Sequence, residues 1–373
     1  MLKKLKLLSF CILLFGGFAC KEVYKPAIIS SPSSYLVIEG VLNTGPAPTE
    51  IKLTRTFKLD DTARVQPERN AQVTVEGKDN TTRSLTMTGN GIYTSPDLQL
   101  VINHEYRLRI QTVNGKEYLS EYVAARKTPV IDSVGFRREE KGVRIYANAH
   151  DDANTTRYYR FEFDETWEQR TFYNSAYKYV NGVVLRRTLA DNVSTCWRDN
   201  KFTSVILWST ASLESDIVFR APILFISNGD ERLAVRYSVM VRQYALDKRG
   251  YEFYEQMRRN TETLGTVFDA QPSETRGNFY STTDPKEFVI GYLSASTIEE
   301  KRYFIERSQV PDWRFIQDCP EVPIENAAQK IKDAYDEGLS IYGMLGFSHY
   351  QGAKAECVDC TARGGSLIKP SFW

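Results

Sequence analysis

Apolar and polar residues alternate along most of the first third of the chain. Apolar residues spaced two apart recur at Ile51 and Leu53, Val73 and Val75, Leu85 and Met87, and Tyr106, Leu108 and Ile110. Turn residues separate these runs at 77–80, 89–91 and 114–115. Alternation indicates strands with one buried face, and turns every 8–12 residues or so are typical of a β-sandwich. We therefore predict an N-terminal β-sandwich over residues 35–128.

The alternation resumes after Thr128-Pro129, a pair that we interpret as a module boundary. Further strands are predicted over residues 130–134, 143–149, 158–163 and 233–246. They resemble a fibronectin-type sandwich that is interrupted after its third strand. The interruption, residues 165–231, is too long for a simple loop. We predict a second sandwich module over residues 129–373, with an insertion at 165–231 and a helical, C-terminal extension.

Two stretches show the spacing of amphipathic helices. Asp247 is placed to cap a helix over residues 248–259. Pro323 is predicted to open a second helix over residues 324–337, which Gly338 ends. A buried strand is predicted over residues 288–295. The fold class is therefore mainly β: tandem immunoglobulin- or fibronectin-III-like sandwiches with a large insertion and a few helices in the C-terminal half.

The first twenty residues have the layout of a secretory signal peptide. Lysines at positions 3, 4 and 6 precede an apolar run over residues 7–18, and Cys20 follows the small residue Ala19. We predict a lipoprotein signal over residues 1–19 that is cleaved before Cys20, and lipidation of Cys20. Gly17 departs from the usual lipobox, which prefers Leu at that position.

Two alternatives to lipidation fit the sequence less well. A transmembrane anchor would need roughly 20 apolar residues, and the run is shorter than that. An ordinary signal peptide would leave Cys20 as a structural thiol, but Ala19 and the polar change at Lys21-Glu22 argue against it. Residues 20–34 are rich in Ser and Pro and read as a lipidated tether, which could extend to about 50 Å. Two or more acyl chains on Cys20 would anchor the protein stably in membrane lipid.

The balance of charges argues against a nucleic-acid partner. The 48 basic and 47 acidic residues balance, without a basic cluster of the kind that nucleic-acid binding requires. The chain is rich in aromatics, with 22 Tyr, 19 Phe and 5 Trp, which suits either sandwich cores or a recognition surface. Three tryptophans in the predicted insertion, Trp167, Trp197 and Trp208, are candidates for a binding surface.

Four cysteines remain after the signal peptide and the lipidation site: Cys196, Cys319, Cys357 and Cys360. An even number in an exported chain favours disulfides, and three pairings are possible. Cys357 and Cys360 also have the spacing of zinc ligands or of a redox pair. Structural disulfides are the favoured interpretation.

The sequence contains no motif of a known catalytic site. We found no GxSxG, HExxH, P-loop, GxGxxG or calcium-loop pattern, so we predict no catalytic residue, metal or cofactor. A glycosidase carboxylate pair has no fixed spacing in sequence, and a hydrolase is therefore the least favoured alternative. The terminal aromatics Phe372 and Trp373 are expected to dock into their own domain, with a partner as the alternative.

Several stretches together resemble a known family. They are residues 35–42 (YLVIEGVL), 265–272 (GTVFDAQP), 289–295 (VIGYLSA), 357–365 (CVDCTARGG) and 369–373 (KPSFW). The chain resembles the Bacteroidota lipoprotein family called domain of unknown function 4249, over nearly the whole mature protein. The resemblance implies no established catalytic residues. It also implies a partner, since such proteins are often encoded beside TonB-dependent, SusC-like outer-membrane transporters.

Two short patterns follow from the resemblance. Cys20-Lys21-Glu22 partly matches the surface-export signal of that phylum, so the cell surface is the expected face of the outer membrane, with the periplasmic face as the alternative. The phylum's O-glycosylation pattern, Asp, then Ser or Thr, then an apolar residue, occurs at Thr62 and Ser133.

Function is expected to be binding rather than catalysis. The leading hypothesis is an outer-membrane lipoprotein that acts as an accessory subunit of a TonB-dependent transporter or another barrel, aiding substrate capture or assembly. The alternative is a stand-alone surface module that binds a glycan or a peptide. The ligand itself is not specified by any motif in the sequence.

Overall fold

The computed structural model describes residues 34–56, 66–201, 204–262 and 275–373. The strands of the first third are β1 Leu36–Gly40, β2 Leu42–Asn43, β3 Thr49–Arg55, β4 Gln66–Pro67, β5 Gln72–Gly77, β6 Thr82–Gly89, β7 Ile92–Ser95, β8 Glu105–Gln111, β9 Glu117–Ser120 and β10 Val123–Ala124. The middle third contains β11 Ile131–Glu139, β12 Gly142–His150, β13 Tyr158–Arg170, β14 Tyr177–Val180, β15 Val183–Arg186, β16 Thr195–Lys201, β17 Ile206–Ser209, β18 Ile217–Ser227, β19 Arg236–Leu246 and helix α1 Lys248–Glu262.

The last third contains β20 Phe279–Ser281, β21 Val289–Ile290, β22 Ala295–Ser296, β23 Ile298–Glu306, β24 Val322–Glu325, helix α2 Ala328–Asp336, β25 Leu339–Leu345, β26 His349–Lys354 and the single turn α3 Ala355–Val358. Short 3-10 turns lie at Leu189–Asp191, Glu231–Leu233, Arg307–Gln309 and Cys360–Arg363. The prediction of a mainly β fold with several sheets is confirmed.

The first unit is a sheet that curls round a single apolar core. Its strand order is β20-β9-β8-β5-β6-β7-β3-β1-β21, with β10 added to β8 and β4 to β3. Strands β20 and β21 are neighbours in the chain and contact each other, so the two ends of the sheet meet. Strands β5 and β8 alternate a buried and a wetter face, because one face packs on the core.

The first unit is not confined to residues 35–128. Residues after α1 return to it, and β21 and β22 pair in parallel with β1 and β2. Phe279, Val289, Leu293 and Ala295 lie buried in the core of the first unit. Parallel pairing requires a long crossover connection, so local patterns in the sequence do not reveal it.

The second unit is a sandwich of two antiparallel sheets. One sheet has the order β11-β12-β18, and the other has the order β16-β13-β19-β23, with β17 also paired to β13. Tyr159, Phe161 and Phe163 of β13 face the core together with Tyr237, Val239 and Val241 of β19. The outer face of β13 carries mainly charged and polar residues.

The stretch predicted as an insertion, residues 165–231, largely belongs to this sandwich. Strand β13 continues to Arg170, β16 and β17 pair with it, and β18 pairs with β12. Only residues 171–194 leave the sandwich, with the β14–β15 hairpin. The polar edge strand β16 and the irregular strand β18 lack the regular alternation on which the prediction depended.

The helix predictions are confirmed for α1 and corrected for α2. The Asp247 carboxylate accepts a 2.7 Å hydrogen bond from the Gly250 N–H, and Phe253 and Tyr254 of α1 pack under the second sandwich. Helix α2 begins at Ala328 rather than Ile324, because Ile324 is buried within β24, which pairs with β26. Gly338 ends the helix with φ +83°. The predicted strand over 288–295 is two short strands, interrupted at Gly291.

A third element, here called the C-terminal lobe, comprises residues 171–194 and 318–373. The sheet β24-β26-β25, helix α2 and the β14–β15 hairpin enclose a small core around Ile324, Ile331 and Ile341. Among the described residues, no helix is long and apolar enough to cross a membrane.

Candidate functional site: a cleft between the sandwich and the C-terminal lobe

One disulfide attaches the C-terminal lobe to the second sandwich, and another lies within the lobe. Cys196 of β16 bonds to Cys360, and Cys319 bonds to Cys357. The prediction of structural disulfides is confirmed, and the structure decides the pairing. The two cysteines of the Cys-x-x-Cys segment bond to different partners, so they form neither a redox pair with each other nor, as disulfides, a thiolate zinc site.

The Arg-Gly-Gly segment that follows Cys360 explains how closely the lobe approaches the sandwich. Arg363 is ion-paired with Glu231 and donates a 2.6 Å hydrogen bond to the Arg170 carbonyl. A Cβ atom at Gly365 would lie 2.5 Å from the Cys196 Cβ, so a larger residue does not fit there. Ser366 and Trp197 exchange two backbone hydrogen bonds of 2.8 Å.

A shallow surface cleft of about 360 Å³ lies beside this junction. One wall is the end of β13 and the residues that follow it, and the other wall is the extended segment 314–317. Its rim is apolar and exposed: Phe172 is 59% exposed, Phe315 37% and Ile316 85%. An exposed apolar rim around a concave surface is typical of a binding site.

The floor of the cleft is polar. Gln169 is 1% exposed, and its Nε2 donates a 2.9 Å hydrogen bond to the Glu231 carboxylate. The Gln169 Oε1 atom is buried and has no hydrogen-bond partner among the described residues. A Cβ atom at Gly365 would lie 2.8 Å from this oxygen, so the Gln169 amide packs against the Arg-Gly-Gly segment.

Charges at the mouth of the cleft are mainly positive. Arg170 is paired with Glu168 at 2.8 Å, whereas exposed Arg314 has no carboxylate within ion-pair distance in the described part of the chain. Glu231 is already neutralised by Arg363. The arrangement therefore offers apolar contact area and one uncompensated cation, which suits the binding of a peptide segment better than proton transfer.

The turn that carries Glu231 is held rigidly by its neighbours. Arg232 binds Asp230 at 2.8 Å and the buried Glu165 at 2.7 Å. Burial would raise the pKa of Asp230, but the hydrogen bonds from Arg232 outweigh it and the pKa is lowered. Burial raises the pKa of Tyr237 well above its usual value, so its hydroxyl stays protonated and donates to Glu165. The position of Glu231 is therefore fixed before any ligand binds.

The three tryptophans predicted as a binding surface do not come together. Trp167 is buried in the sandwich core, and Trp208 packs against the same core. Trp208 lies opposite Tyr159, eight residues or about 26 Å along β13 from Trp167. Trp197 lies opposite Glu168 and so on the other face of the sheet. The prediction of a shared tryptophan surface was wrong, since the spacing of these residues along one long strand separates them.

The other predicted site residues are the lipidation site Cys20 and the glycosylation candidates Thr62 and Ser133. Cys20 and Thr62 lie outside the described residues. Ser133 is exposed on β11, and its hydroxyl accepts a 2.9 Å hydrogen bond from the Asn148 amide, so its glycosylation stays a prediction. Within the described ranges, no group of His, Cys, Asp and Glu side chains is arranged to hold a metal ion.

No specific observation favours a hydrolase. The cleft has one carboxylate, Glu231, and it is ion-paired. A second pocket is lined by Asp79 and Glu105, but hydrogen bonds from Thr81 lower the pKa of Asp79, whereas a general acid requires a raised one. The hydrolase hypothesis stays an untested prediction.

The terminal aromatics dock onto the second sandwich, as predicted. The Trp373 ring lies 5.7 Å from that of Phe304, and the Arg236 guanidinium lies 5.2 Å from the Trp373 centroid. The Phe372 ring stacks on Arg302 at 3.4 Å. Residues 366–373 therefore run from β16 to β23, the strand at the opposite edge of the same sheet.

The cleft residues were missed in the sequence. Gln169 and Glu231 lie inside the stretch that was interpreted as an insertion, and Phe315-Ile316 follows no periodic pattern. The signal that could have found the site is this apolar pair itself, since it stands in a stretch without strand or helix spacing between Pro311 and Cys319.

Comparison with known proteins adds a family but no activity. A family model described as domain of unknown function (DUF4249) matches residues 21–302. The match includes the β13 wall of the cleft and Glu231, and it ends within β23, before Phe315. No curated protein matches the chain.

Proposed function

The chain belongs to the family described as domain of unknown function 4249, and from that membership we propose that it is a non-enzymatic, lipid-anchored accessory subunit of an outer-membrane transporter. In this proposal acylated Cys20 confines the protein to the outer membrane, on the cell-surface side. The folded units then bind a TonB-dependent transporter or a similar barrel and help it capture substrate or assemble.

The observation that carries the proposal is the apolar rim of the cleft. Phe172, Phe315 and Ile316 remain exposed although each could have been buried at a gain of about 1.5–3 kcal/mol. Such residues around a concave, pre-formed surface favour a protein partner, since recognition surfaces concentrate aromatic and aliphatic anchors. The disulfides and the Arg363–Glu231 pair hold both walls in place, which lowers the entropy cost of binding.

A double substitution in the rim tests this proposal. Phe315→Asp with Ile316→Asp introduces charge at the apolar contact while leaving the core of each unit unchanged. We expect a tagged wild-type protein, purified from native membranes, to bring an outer-membrane barrel with it, and the double variant to lose that barrel.

The matched control is Leu189→Asp with Phe347→Asp. These side chains are 98% and 96% exposed and lie elsewhere on the C-terminal lobe, so they receive the same charge outside the cleft. The control should retain the barrel. If wild type brings down no barrel above background, the accessory role is wrong; if both double variants lose it equally, the cleft is not the contact.

The anchor is tested separately. Cys20→Ser should abolish acylation and release the protein from the membrane fraction into the soluble fraction, and mass spectrometry of the N-terminal peptide should show the acyl groups only in wild type. A Cys20→Ser protein that stays membrane-bound would contradict anchoring by lipid.

A further inference from the structure

A strained residue lies on the outer face of the smaller sheet of the second unit. Between Ala147 and Ala149, strand β12 has one residue where β18 has two, Phe219 and Arg220. This β-bulge places Arg220 at φ +50°. Apart from Gln99, the other non-glycine residues with positive φ in the described ranges are asparagines, which tolerate that region far better.

The side chain of Asn148 holds the bulge in place. The Asn148 Oδ1 accepts a 2.8 Å hydrogen bond from the Arg220 N–H, and the Asn148 Nδ2 donates to Ser133 at 2.9 Å. The N–H that the bulge removes from the ladder is therefore satisfied. Strain that is retained at one residue and supported by its surroundings is a feature of functional sites.

The bulge orients the Arg220 guanidinium between two aromatic rings. Its central carbon lies 5.0 Å from the Phe219 centroid and 5.6 Å from the Tyr146 centroid. Tyr146 lies flat over Gly135, where a Cβ atom would be only 3.1 Å from the tyrosine hydroxyl. Stacking on aromatic faces restricts the guanidinium before any ligand binds.

The charge of Arg220 is not compensated. Arg137 and Arg144 on the same sheet both pair with Glu139, at 3.0 and 2.9 Å, whereas no described carboxylate lies within ion-pair distance of Arg220. Beside it, Phe219 is 65% exposed, and Ile217 of the same strand is exposed as well. The site thus combines one oriented, unpaired guanidinium with an apolar surround.

We propose that this bulge is a second binding site, which takes a carboxylate flanked by an aromatic or aliphatic side chain on the surface of a partner protein. The fork of the guanidinium matches a carboxylate in bidentate geometry, and the apolar surround takes the flanking side chain. The exposed apolar residues favour a protein segment over a polar anionic sugar. This site is on the second sandwich and is independent of the cleft.

The test uses the full chain in detergent and an array of immobilised peptides. Each peptide presents Glu or Asp beside Phe, Leu or Trp, and each has a counterpart with Gln or Asn. We expect wild type to prefer the acidic members by roughly tenfold or more. Arg220→Gly should abolish that preference, while Arg137→Ala, which removes a compensated cation from the same sheet, should leave it unchanged.

A thermal measurement separates binding from folding. Glycine adopts positive φ without a side-chain clash, so Arg220→Gly should raise the Tm while removing the acid preference. Equal binding of acidic and amide peptides by wild type would overturn the proposal, as would an Arg220→Gly variant that keeps the preference or lowers the Tm. Polygalacturonate is included in the assay, and Arg220-dependent binding of it in place of the peptides would show that the ligand class is wrong.

Discussion

The first unit and the C-terminal lobe are stabilised in different ways. The first unit buries a large core and brings the ends of its sheet together, so that few large apolar side chains of its described residues remain exposed. The C-terminal lobe has small cores, one disulfide within it, one disulfide that joins it to β16, and several exposed apolar residues, among them Leu189, Phe347 and Ile368. A lobe that is held by disulfides can leave apolar side chains exposed to water, because its stability depends less on burying those side chains.

This difference in core size and exposed apolar surface suggests a different role for each region. In the proposed lipid-anchored role, the closed sheet with its complete core would act as a spacer between the tether and the rest of the chain. The lobe, together with the adjoining face of the second sandwich, presents the surfaces on which recognition is expected. Both proposed sites lie in the second unit or at its junction with the lobe.

The largest expected effect is on the disulfides. The bond between Cys196 and Cys360 closes a separation of 164 residues and that between Cys319 and Cys357 one of 38. Replacing a pair by serine should lower the free energy of unfolding by about 5 kcal/mol for the first and about 4 kcal/mol for the second. All five tryptophans lie after residue 128, so denaturant unfolding followed by tryptophan fluorescence reports this half of the chain.

The first unit should be unaffected by the loss of the disulfides. Amide hydrogen exchange of β3 and β8 should remain slow in both serine variants, and reductant added to wild type should reproduce the variants. Faster exchange in these strands, in step with the tryptophan transition, would mean that the two regions unfold as one and that the contrast between them fails.

An intermediate effect is expected at the seam of the first unit. Glu287 is 4% exposed and receives the Tyr118 hydroxyl at 2.8 Å and the Lys116 ammonium at 3.0 Å, with Arg55 at 3.6 Å. Burial raises the pKa of Tyr118 to about 12, so its hydroxyl remains a donor. Glu287→Gln should cost about 1.5 kcal/mol, because Tyr118 and Lys116 lose a charged acceptor, whereas Arg55 keeps its ion pair with Glu68 and Lys116 is 40% exposed.

Hydrogen exchange in β3 and β9 measures this loss. The control is Glu39→Gln, because the Glu39–Lys52 pair at 2.9 Å is exposed and should change stability by no more than about 0.5 kcal/mol. An equal effect of both substitutions, or a shift of the tryptophan transition by Glu287→Gln, would contradict the assignment of Glu287 to closure of the first unit.

The smallest effect is expected at the edge of the second sandwich. The hydrogen bond and the charge of Asp132 raise the pKa of His150. The His150 Nδ1 atom lies 2.7 Å from the Asp132 Oδ2 atom. A raised pKa in the folded state means that the pair stabilises the protein fully below the unfolded pKa of about 6.5 and that this contribution is lost as the pH rises through the folded value.

An NMR titration of the imidazole protons measures that shift. Asp132→Asn should lower the pKa of His150 toward its ordinary value. Asp79→Asn is the control, since Asp79 lies 3.9 Å from His104 and should leave His150 unchanged. If the pKa of His150 is the same in wild type and in Asp132→Asn, the pair has no energetic role.

The strands that could be predicted are those with one buried and one wet face. Val73, Val75, Leu108 and Ile110 belong to such strands, and the structure has them as expected. Strand β16 was missed, because an edge strand with the sequence TCWRDNK carries no alternation. Strand β18 was missed because the bulge at Arg220 breaks its period.

The candidate sites were beyond sequence reasoning for a related reason. The cleft is assembled from Gln169, Glu231 and Ile316, which lie far apart in the chain and have no shared motif. The tryptophans were conspicuous by type, but a residue type indicates a surface only when the fold leaves it exposed, and Trp167 is buried.

By itself the sequence determined the mainly β class, the capping of α1 by Asp247, the disulfide chemistry of the four cysteines and the family. These properties depend on residues close together in the chain, or on composition. The tertiary structure alone decided the disulfide pairing, the return of β21 and β22 to the first unit, and the places where apolar side chains and an unpaired arginine stay in contact with water. Those features depend on contacts between distant residues, and the chain encodes them only through packing.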